Sequence, residues 1–404
     1  MAVEPTLGFT DDGSIFAQAV QRRTVFQPEV IRSTDGGATW DAVTPAVGDQ
    51  NRTRLTMDPY LYVDPATARV FTANLTAAPV CSDLSFSDDG GESWTTSAVC
   101  GQFDHQTVFA GPAVTSPTIG YPNIVYFCAV NGGLATPTST YTTCARSLDG
   151  GLTFSPTGEP AYVTDVLRPN GHLGPAGLCD GASGHGIVDG DGTVYLPRGW
   201  CGQPYLAISR NEGTTWTRVQ VARTGMSDQG GVFDHEAGVA VDGDGNLYYT
   251  WVGRNRLPYL AVSRDGGSTW SKPLMIGAPE VELASFPGIA VGKAGRLAMV
   301  YMGSADGRRW NGYMTMTADA LARSPILYSA SVNARRDPLI KGDCGPTFQC
   351  GAVYDFVDVV IGPDGTPWGS FVDGCTRAGC TTDSGSTGPF DGVMGRLVGG
   401  PRLS

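Results

Sequence analysis

Short stretches of this chain alternate apolar and polar residues, and clusters of glycine and aspartate separate these stretches. Residues 259–263, Tyr-Leu-Ala-Val-Ser, show the period of two that is typical of a β-strand. Residues 188–195 and 241–248 place Asp-Gly pairs between two such stretches, and weaker copies lie at 9–16, 63–71, 291–297 and 361–368. Because Asp-Gly between alternating runs is a strong hairpin signal, the pattern predicts a series of antiparallel hairpins.

An eight-residue phrase, Ser-x-Asp-x-Gly-x-Thr-Trp, follows the alternating runs five times. Its copies start at Ser33, Ser87, Ser147, Ser209 and Ser263, which are 54, 60, 62 and 54 residues apart. Asp or Asn at the third position can bond back to the turn, and glycine can adopt a positive φ. The final aromatic residue is a large apolar plug. A phrase kept near one period indicates a repeat architecture.

These phrases resemble the Asp-boxes of the sialidase-like β-propeller superfamily, in which the box joins the third and fourth strands of a blade. The resemblance implies a propeller whose box acids are structural, and it says little about a reaction. The enzymatic sialidases also carry a Phe/Tyr-Arg-Ile-Pro motif near the first blade, as part of an arginine triad that grips the sialate carboxylate. That motif is absent here, and Leu196-Pro-Arg198 lies in a different blade. The resemblance is therefore to the superfamily and not to a true sialidase.

Counting the first hairpins gives seven units. They begin near Glu4, Asp58, Asp104, Ser183, Asp234, Phe286 and Asp355. The predicted fold is all-β, a single β-propeller domain over residues 1–404 with seven blades of four antiparallel strands. Six blades, the number in the enzymatic sialidases, are the alternative. The expected blades cover approximately residues 1–50, 51–101, 102–165, 180–225, 232–279, 282–332 and 352–404.

Composition and charge narrow the classes of function. The chain has 404 residues, and its 56 glycines and 27 prolines beside 41% hydrophobic residues indicate turn-rich β structure with a sizeable core. A formal charge of −12 disfavours a nucleic-acid partner, which would need a basic face. No apolar run reaches the ~18 residues of a membrane span. We expect a monomer whose partner is a carbohydrate.

Ten cysteines fall into neighbouring pairs. The pairs are Cys81 and Cys100, Cys128 and Cys144, Cys179 and Cys201, Cys344 and Cys350, and Cys375 and Cys380. Sequence alone does not fix connectivity, but the first two pairs flank hairpins within one repeat, which would bring them close. The even count predicts five disulfides in a secreted protein. The chain opens Met-Ala-Val-Glu, and we expect that this start Met replaces a removed signal peptide.

Blade geometry predicts where chemistry would lie. Each first strand begins beside the central axis, at the face opposite the repeated turns, and loops on a rigid scaffold usually carry function. Aligning the units on their first hairpins puts one residue of each blade at that start. These ring residues are Glu4, Asp58, Gln106, Ser183, Glu236, Phe286 and Phe356. Asp104 and Asp234 precede the ring in matching places, and Asp358 follows it by two residues.

Three of the four histidines fall at the same face. His105 and His235 occupy equivalent places in near-copy phrases, and His185 lies in the blade between them. They could cap loops, or they could form a functional cluster. A divalent metal on His105, His185 and His235 is conceivable because neutral imidazole is a common ligand, although no cofactor is required.

The second strands end at the same rim. Their predicted rim residues are Asn74, Arg198, Trp200, Trp251, Arg254, Tyr301 and Asp373. Trp and Arg beside carboxylates suit sugar or uronate recognition, since rings stack on sugar faces and polar groups bond hydroxyls and acids. Alternatively, some of these aromatic residues only seal blade packing. We expect His105, Asp104, Asp234, Gln106, Arg198, Trp200, Trp251, Arg254 and Tyr301 to bind substrate.

Three functions fit this pattern. A glycoside hydrolase needs two carboxyls, and Glu236 is the candidate acid with a raised pKa while Asp58 is the candidate base. Glu4 and Asp358 could also serve. A polysaccharide lyase would use His185 or His235 with Tyr301 for proton transfer, with an Arg or a metal neutralising the uronate. A non-catalytic glycan-binding propeller is the third hypothesis, which the heterogeneous ring disfavours.

Overall fold

The computed structural model describes residues 5–21, 27–46, 56, 58–77, 80–101, 104–131, 141–163, 183–227, 237–334, 336–341, 357–375 and 391–404. In these ranges every regular element is a β-strand. They contain no helix that is long and apolar enough to cross a membrane.

The strands form seven antiparallel sheets, one after another along the chain. Blade 1 holds β1 (Thr6–Phe9), β2 (Ile15–Gln21), β3 (Gln27–Ser33) and β4 (Asp41–Ala42). Blade 2 holds β5 (Pro59–Val63), β6 (Val70–Ala77), β7 (Val80–Ser87) and β8 (Thr95–Cys100). Blade 3 holds β9 (Asp104–Pro112), β10 (Asn123–Asn131), β11 (Tyr141–Ser147) and β12 (Ser155–Pro156), with β13 (Tyr162–Val163) also paired to β11.

The remaining sheets repeat this order. Blade 4 holds β14 (Ile187–Val188), β15 (Val194–Trp200), β16 (Gln203–Ser209) and β17 (Thr217–Gln220). Blade 5 holds β18 (Ala237–Val241), β19 (Leu247–Val252), β20 (Pro258–Ser263) and β21 (Leu274–Met275). Blade 6 holds β22 (Leu283–Val291), β23 (Leu297–Ser304), β24 (Arg309–Thr317) and β25 (Tyr328–Ser331), with β26 (Ile340–Lys341) also paired to β24. Blade 7 shows three strands in the described ranges, β27 (Asp358–Ile361), β28 (Pro367–Asp373) and β29 (Asp391–Arg396).

The first strand of each blade, its inner strand, contacts the inner strand of the next blade. The contacts run from β1 through β5, β9, β14, β18 and β22 to β27, and β27 contacts β1. This closed circle confirms the predicted seven-bladed β-propeller and excludes six blades. We call the end of the central tunnel where the inner strands begin the mouth, and the opposite end the turn end.

The repeated phrase forms the turn between the third and fourth strands. In blade 1, the Asp35 carboxylate accepts the backbone N–H groups of Ala38 and Thr39 at 2.9 and 2.8 Å and the Thr39 hydroxyl at 2.6 Å. Ser33 Oγ accepts the N–H of Gly37, whose φ is 86°. Glycine suits this position because a Cβ would be strained there. The phrase therefore shapes its own turn, and its acids are held at the turn end, away from the mouth.

Apolar packing is distributed between the blades. Separate clusters fill the interfaces of all seven neighbouring pairs of blades, and the last of them joins blade 7 to blade 1. The last cluster packs Leu7 and Ile15 of blade 1 against Trp368 of blade 7. Each blade thus buries both faces against its neighbours, which explains the alternating apolar pattern of the strands.

Two of the predicted disulfides are confirmed. Cys81–Cys100 joins β7 to β8, and Cys128–Cys144 joins β10 to β11, each between residues that face each other across paired strands. Cys201 and Cys375 are disulfide-bonded as well. Their predicted partners Cys179 and Cys380, and the pair Cys344 and Cys350, lie outside the described residues.

The register of blade 3 corrects the sequence alignment. In blade 2, Val70 pairs with Ser87 of the repeated turn and with Val63 on the inner strand. In blade 3, the residue that pairs with Ser147 is Val125, whose inner partner is Ala110. Five residues further along the second strand, Leu75 donates to the Asp58 carbonyl in blade 2, and Val130 pairs with Asp104 in blade 3. By register, Asp104 and not Gln106 therefore matches Asp58.

A β-bulge accounts for this shift. His105 and Gln106 together face Ala129, because Asp104 pairs with Val130 and Thr107 with Cys128. Phe286 and Pro287 form the matching bulge of blade 6. His105 and Phe286 adopt positive φ values of 52° and 53°, which are uncommon for residues that carry a Cβ. The mouth thus holds two strained residues at equivalent places.

Candidate functional site

A cavity of about 380 Å³ occupies the central tunnel, and residues of all seven inner strands line it. Its walls are mostly apolar, with Val63, Val188, Val241 and Val291 ending their inner strands at the turn end. Asp358, at the start of β27, is the one carboxylate among the lining residues. The polar chemistry predicted for the axis therefore lies at the mouth and not along the tunnel.

Side-chain oxygens join neighbouring inner strands just inside the mouth. The Leu61 N–H donates to Thr6 Oγ1 at 2.9 Å, and the Gly186 N–H donates to Thr107 Oγ1 at 3.1 Å. The Leu7 N–H donates to Asp358 Oδ2 at 3.0 Å. The three acceptors hold equivalent register positions, so they form one set of inter-blade bonds.

Asp358, predicted from the sequence as a candidate catalytic carboxyl, has a structural contact here. Its second oxygen, Oδ1, accepts the N–H of Val359 at 2.8 Å, so both carboxylate oxygens bond backbone. Burial raises the pKa of Asp358 to about 7, against the lowering effect of the Leu7 and Val359 hydrogen bonds. The Asp358 carboxyl thus links blade 7 to blade 1 by its hydrogen bond with the Leu7 N–H.

Tyr60 and His185 meet at the mouth. Their ring centroids lie 4.5 Å apart in an edge-to-face arrangement, although they belong to blades 2 and 4. Burial, and then the proximity of His105, lowers the pKa of His185 to about 3. His185 is therefore neutral at physiological pH. Two of the predicted histidines converge here, and Tyr60 joins them unpredicted, although it shares the register position of His185.

Asp58 stands at the same side of the mouth. Its side chain is partly exposed, whereas its backbone N–H and carbonyl are both hydrogen-bonded. The Asp58 N–H donates to Thr56 Oγ1 at 3.0 Å, and the Asp58 carbonyl accepts the Gln106 side-chain amide. Gln106 is itself buried, so it positions Asp58 and does not present a free amide to a substrate.

A buried polar triad lies behind Asp58, between blades 1 and 2. Gln18 Nε2 donates to Asn74 Oδ1 at 2.8 Å, and Thr72 Oγ1 donates to Gln18 Oε1 at 2.6 Å. All three side chains are at most 1% exposed. Asn74, predicted on the rim, is thus an interior residue, and Gln18 and Thr72 were not predicted at all.

Three other predicted rim residues are fully buried. Arg198 donates to Thr142 Oγ1 at 2.8 Å, and its guanidinium carbon lies 5.5 Å from the centroid of the Tyr162 ring. Trp251 stacks on Tyr259, and the Tyr301 hydroxyl accepts the N–H of Ala278 at 2.8 Å. Packing between the blades buries these side chains, so they present no surface to a substrate. The predicted exposure of these three residues at the rim is therefore wrong.

The other predicted rim and ring residues are placed as follows. Arg254 is exposed, and Trp200 is partly exposed and contacts Tyr205 edge to face. Burial raises the pKa of Asp373, which accepts the N–H of Cys375. Ser183 is buried and shares a hydrogen bond with Thr142.

Several predicted residues cannot be placed. Glu4, Asp234, His235, Glu236 and Phe356 lie outside the described residues, as does the side chain of Asp104, whose backbone begins β9. Within the described ranges no group of three His, Cys, Asp or Glu side chains is suited to a metal ion. Only two of the three histidines of the predicted metal set fall there, so a metal on this set stays a prediction.

Comparison with known proteins yields structural likeness alone. No family model matches the sequence, and no curated protein matches it. A Hadza microbial sialidase aligns over 98% of this chain and 66% of its own length, at 17% identity and a TM-score of 0.44. A leech intramolecular trans-sialidase aligns over 97% of this chain and 68% of its own length, at 15% identity and a TM-score of 0.46. A lectin of Aleuria aurantia in complex with a fucoside aligns over 81% of this chain and 93% of its own length, at 10% identity and a TM-score of 0.48.

Proposed function

We propose that this protein is a secreted glycoside hydrolase that cleaves an oligo- or polysaccharide at the mouth of the tunnel. The observation that carries the proposal is that three consecutive blades bring candidate groups to one side of the mouth: His105 lies close to His185, and the neighbouring Gln106 is bonded to the Asp58 carbonyl. Asp58 keeps a partly exposed carboxyl on a fixed backbone, which suits a positioned catalytic group.

Hydrolysis requires an acid that protonates the leaving oxygen and a carboxylate that activates water or attacks the sugar. Asp58 is the candidate base. Glu236, which directly precedes β18 in the sequence, is the candidate acid. In the ring of seven, β5 of blade 2 and β18 of blade 5 are separated by two inner strands on one side and three on the other. Their starts therefore face each other across the tunnel.

The neutral Tyr60–His185 pair suits substrate binding at this mouth. A neutral imidazole can donate a hydrogen bond to a sugar hydroxyl with one nitrogen and accept one with the other. The edge-to-face contact with the Tyr60 ring fixes the orientation of the imidazole. His105 and Gln106 occupy the bulge of β9, with His105 close to His185 and Gln106 bonded to the Asp58 carbonyl. This asymmetric arrangement supports one active site in preference to equal pockets in every blade.

The test is a screen of plant, algal and bacterial glycans for new reducing ends. On a substrate that is cleaved, we expect Asp58→Asn and Glu236→Gln each to lower kcat about 10²- to 10⁴-fold. Asp191→Asn is the matched control, because Asp191 is exposed at the turn end, and it should leave the rate unchanged. Full activity of both mouth variants would refute the hydrolase.

Elimination from a uronate polymer is the second candidate, and the Tyr60–His185 contact favours it. There a base removes the proton at C5, the C4–O bond breaks, a C4–C5 double bond forms, and an acid protonates the leaving oxygen. Tyr60 replaces Tyr301 as the tyrosine partner, since Tyr301 is enclosed by packing. A product that absorbs in the ultraviolet would select elimination. Tight glycan binding without either product, unaffected by Glu236→Gln, would instead select a binding protein.

Export is part of the proposal. The Cys81–Cys100 and Cys128–Cys144 disulfides are compatible with an extracellular protein. Fractionation of the producing cells, with detection of the oxidised protein outside them, tests this point, and a reduced intracellular protein would contradict it.

A further inference from the structure

A groove of about 850 Å³ lies between blades 5 and 6 on the outer side of the propeller. One wall is the turn and strand that follow β20, and the other is the segment 321–325 that follows β24. Both segments leave their strands at the turn end. The groove is therefore separate from the mouth and shares no residue with the site proposed above.

The charged residues that line the groove are all cationic. They are Arg264, Lys272 and Arg323, and no aspartate or glutamate lines it, although the chain as a whole carries a formal charge of −12. All three side chains are exposed. None of them is in an ion pair within the described ranges.

The nearest acids are already engaged in their own turns. Asp265 accepts the Thr269 N–H and hydroxyl, at 2.8 and 2.5 Å, and the Ser263 hydroxyl at 2.8 Å. Asp319 accepts the Ile326 N–H at 3.0 Å and the Thr317 hydroxyl at 2.7 Å. The Arg264 guanidinium donates to the Leu321 carbonyl, which ties the two walls together. Neither carboxylate forms an ion pair with a cation that lines the groove, within the described residues.

The partly exposed Trp270 lies at the edge of the groove. Its indole N–H donates to the Gly267 carbonyl at 3.1 Å, and its ring contacts Tyr249 edge to face, at 5.9 Å between centroids, in the apolar cluster between blades 4 and 5. Trp216, at the same place in blade 4, is only 8% exposed, whereas Trp270 is partly exposed. Leu274, Pro273, Pro325 and Leu321 complete an apolar floor.

We propose that this groove is an accessory binding site for an anionic polysaccharide that carries sulfate or carboxylate groups. Arg and Lys bind the acidic groups of such a polymer, and the apolar floor packs against its sugar rings. Both features meet in this groove. Because the chain carries a formal charge of −12, binding of a polyanion depends on the cations of the groove.

Calorimetric titration with dextran sulfate, at low and at high ionic strength, tests the proposal. We expect binding that weakens as salt is added, because the contacts are ionic and exposed. The double variant Lys272→Gln with Arg323→Gln should weaken binding about tenfold or more, which corresponds to about 1.4 kcal/mol. Neither side chain makes a hydrogen bond within the described residues, so the fold should not be affected.

Two controls make the test specific. Arg223→Gln with Lys293→Gln removes one Arg and one Lys that are both exposed and do not line the groove, and it should leave the affinity within about twofold of the unaltered protein. Trp270→Phe is the second control, and Phe154 already occupies this place in blade 3, so the turn tolerates it. Because the Trp270 ring packs between blades 4 and 5, this variant should weaken binding less than the Lys272 and Arg323 variant.

Three results would overturn the proposal: no binding of dextran sulfate, equal loss in both double variants, or tighter binding of poly-glutamate than of the sulfated polymer with the same dependence on Lys272 and Arg323. The last would assign the groove to an acidic protein partner. Asp58→Asn should leave dextran sulfate binding unchanged, so failure of the hydrolase and failure of this site are distinguishable.

Discussion

The Glu212 carboxylate of blade 4 lies 2.7 Å from the Arg146 guanidinium of blade 3. Glu212 occupies the variant copy of the repeated turn, with a positive φ of 57° and 1% exposure. Its Oε1 accepts three consecutive backbone N–H groups, from Val114, Thr115 and Ser116, at 2.8 to 3.0 Å. This single side chain therefore fixes the long hairpin loop of blade 3 to blade 4.

Loss of the Glu212 charge should destabilise the protein. Burial alone would raise the pKa of Glu212, but the hydrogen bonds from Ser116, Thr115 and Val114 outweigh it and hold the pKa at about 2. Since the pKa is lower in the folded than in the unfolded state, this contribution is complete above the ordinary value of 4.5 and disappears as pH falls toward 2. We expect Glu212→Gln to cost about 3 kcal/mol at pH 7. Denaturant unfolding across pH measures this, with exposed Glu92→Gln as the control; equal stability of the two variants would contradict it.

Asp358 should give the opposite pH dependence. Its pKa of about 7 exceeds the ordinary 3.8, so between these values the folded state binds more protons than the unfolded state. The contribution of Asp358 to stability therefore falls as pH rises from about 4 to about 7. We expect Asp358→Asn to remove this component, so that the stability difference from the unaltered protein changes across that window. A difference independent of pH would show that the carboxyl titrates normally.

The repeated turns contain a natural comparison for aspartate replacement. Asn211 stands where the other copies have aspartate, and it still accepts the Thr215 N–H at 3.0 Å and donates to the Thr215 hydroxyl at 2.9 Å. We therefore expect Asp265→Asn to lower the melting temperature less than Asp265→Ala, which loses every bond that the Asp265 carboxylate makes. Thermal unfolding checks the order, and equal losses would contradict the turn role.

His185 should remain neutral across physiological pH. Burial and the neighbouring His105 lower its pKa to about 3, so its imidazole signals should not titrate between about pH 5 and pH 8 in nuclear magnetic resonance spectra. His185→Gln assigns the signals, and Tyr60→Phe should leave them untitrated. A midpoint near 6.5 would show that the Tyr60 contact does not bury the ring.

Removal of the Cys128–Cys144 disulfide should destabilise blade 3. The bond closes a loop of 16 residues between buried positions of β10 and β11. Loop-closure entropy predicts a loss of about 3 kcal/mol for the double serine variant. Chemical denaturation of that variant measures the loss, and the Cys81 and Cys100 double serine variant, with a separation of 19, provides the comparison. No loss in either variant would contradict the entropic account.

The repeats carried the fold prediction because each copy specifies its own turn. Blade 3 was misaligned for a physical reason: a bulge adds one residue to β9 without disturbing the alternation on either side, so His105 and Gln106 cannot be ordered from the pattern. The long hairpin of blade 3 also lacks the Asp-Gly marker of the other blades. The register of β9 could therefore be assigned only from the pairing of β10 with β9 and β11.

Burial at the rim could not be predicted either. The sequence positions of Trp251 and Tyr301 on their second strands are compatible with exposure at the rim. Only packing between blades determines that both side chains are buried. The structural bond of Asp358 could not be predicted because its partner, the Leu7 N–H, is distant in the sequence. Tyr60 was missed because nothing in its local sequence signals a contact two blades away.

The hydrogen bond from Leu7 to Asp358 joins residues separated by 351 positions. The ring can therefore close only after nearly the whole described chain has been synthesised. Before that moment, the flank of β1 that later contacts β27, with Leu7 and Ile15, has no strand beside it. A chaperone or a translocation channel acting on the growing protein would meet this uncovered strand. Covering the strand until β27 is in place would prevent its association with other chains.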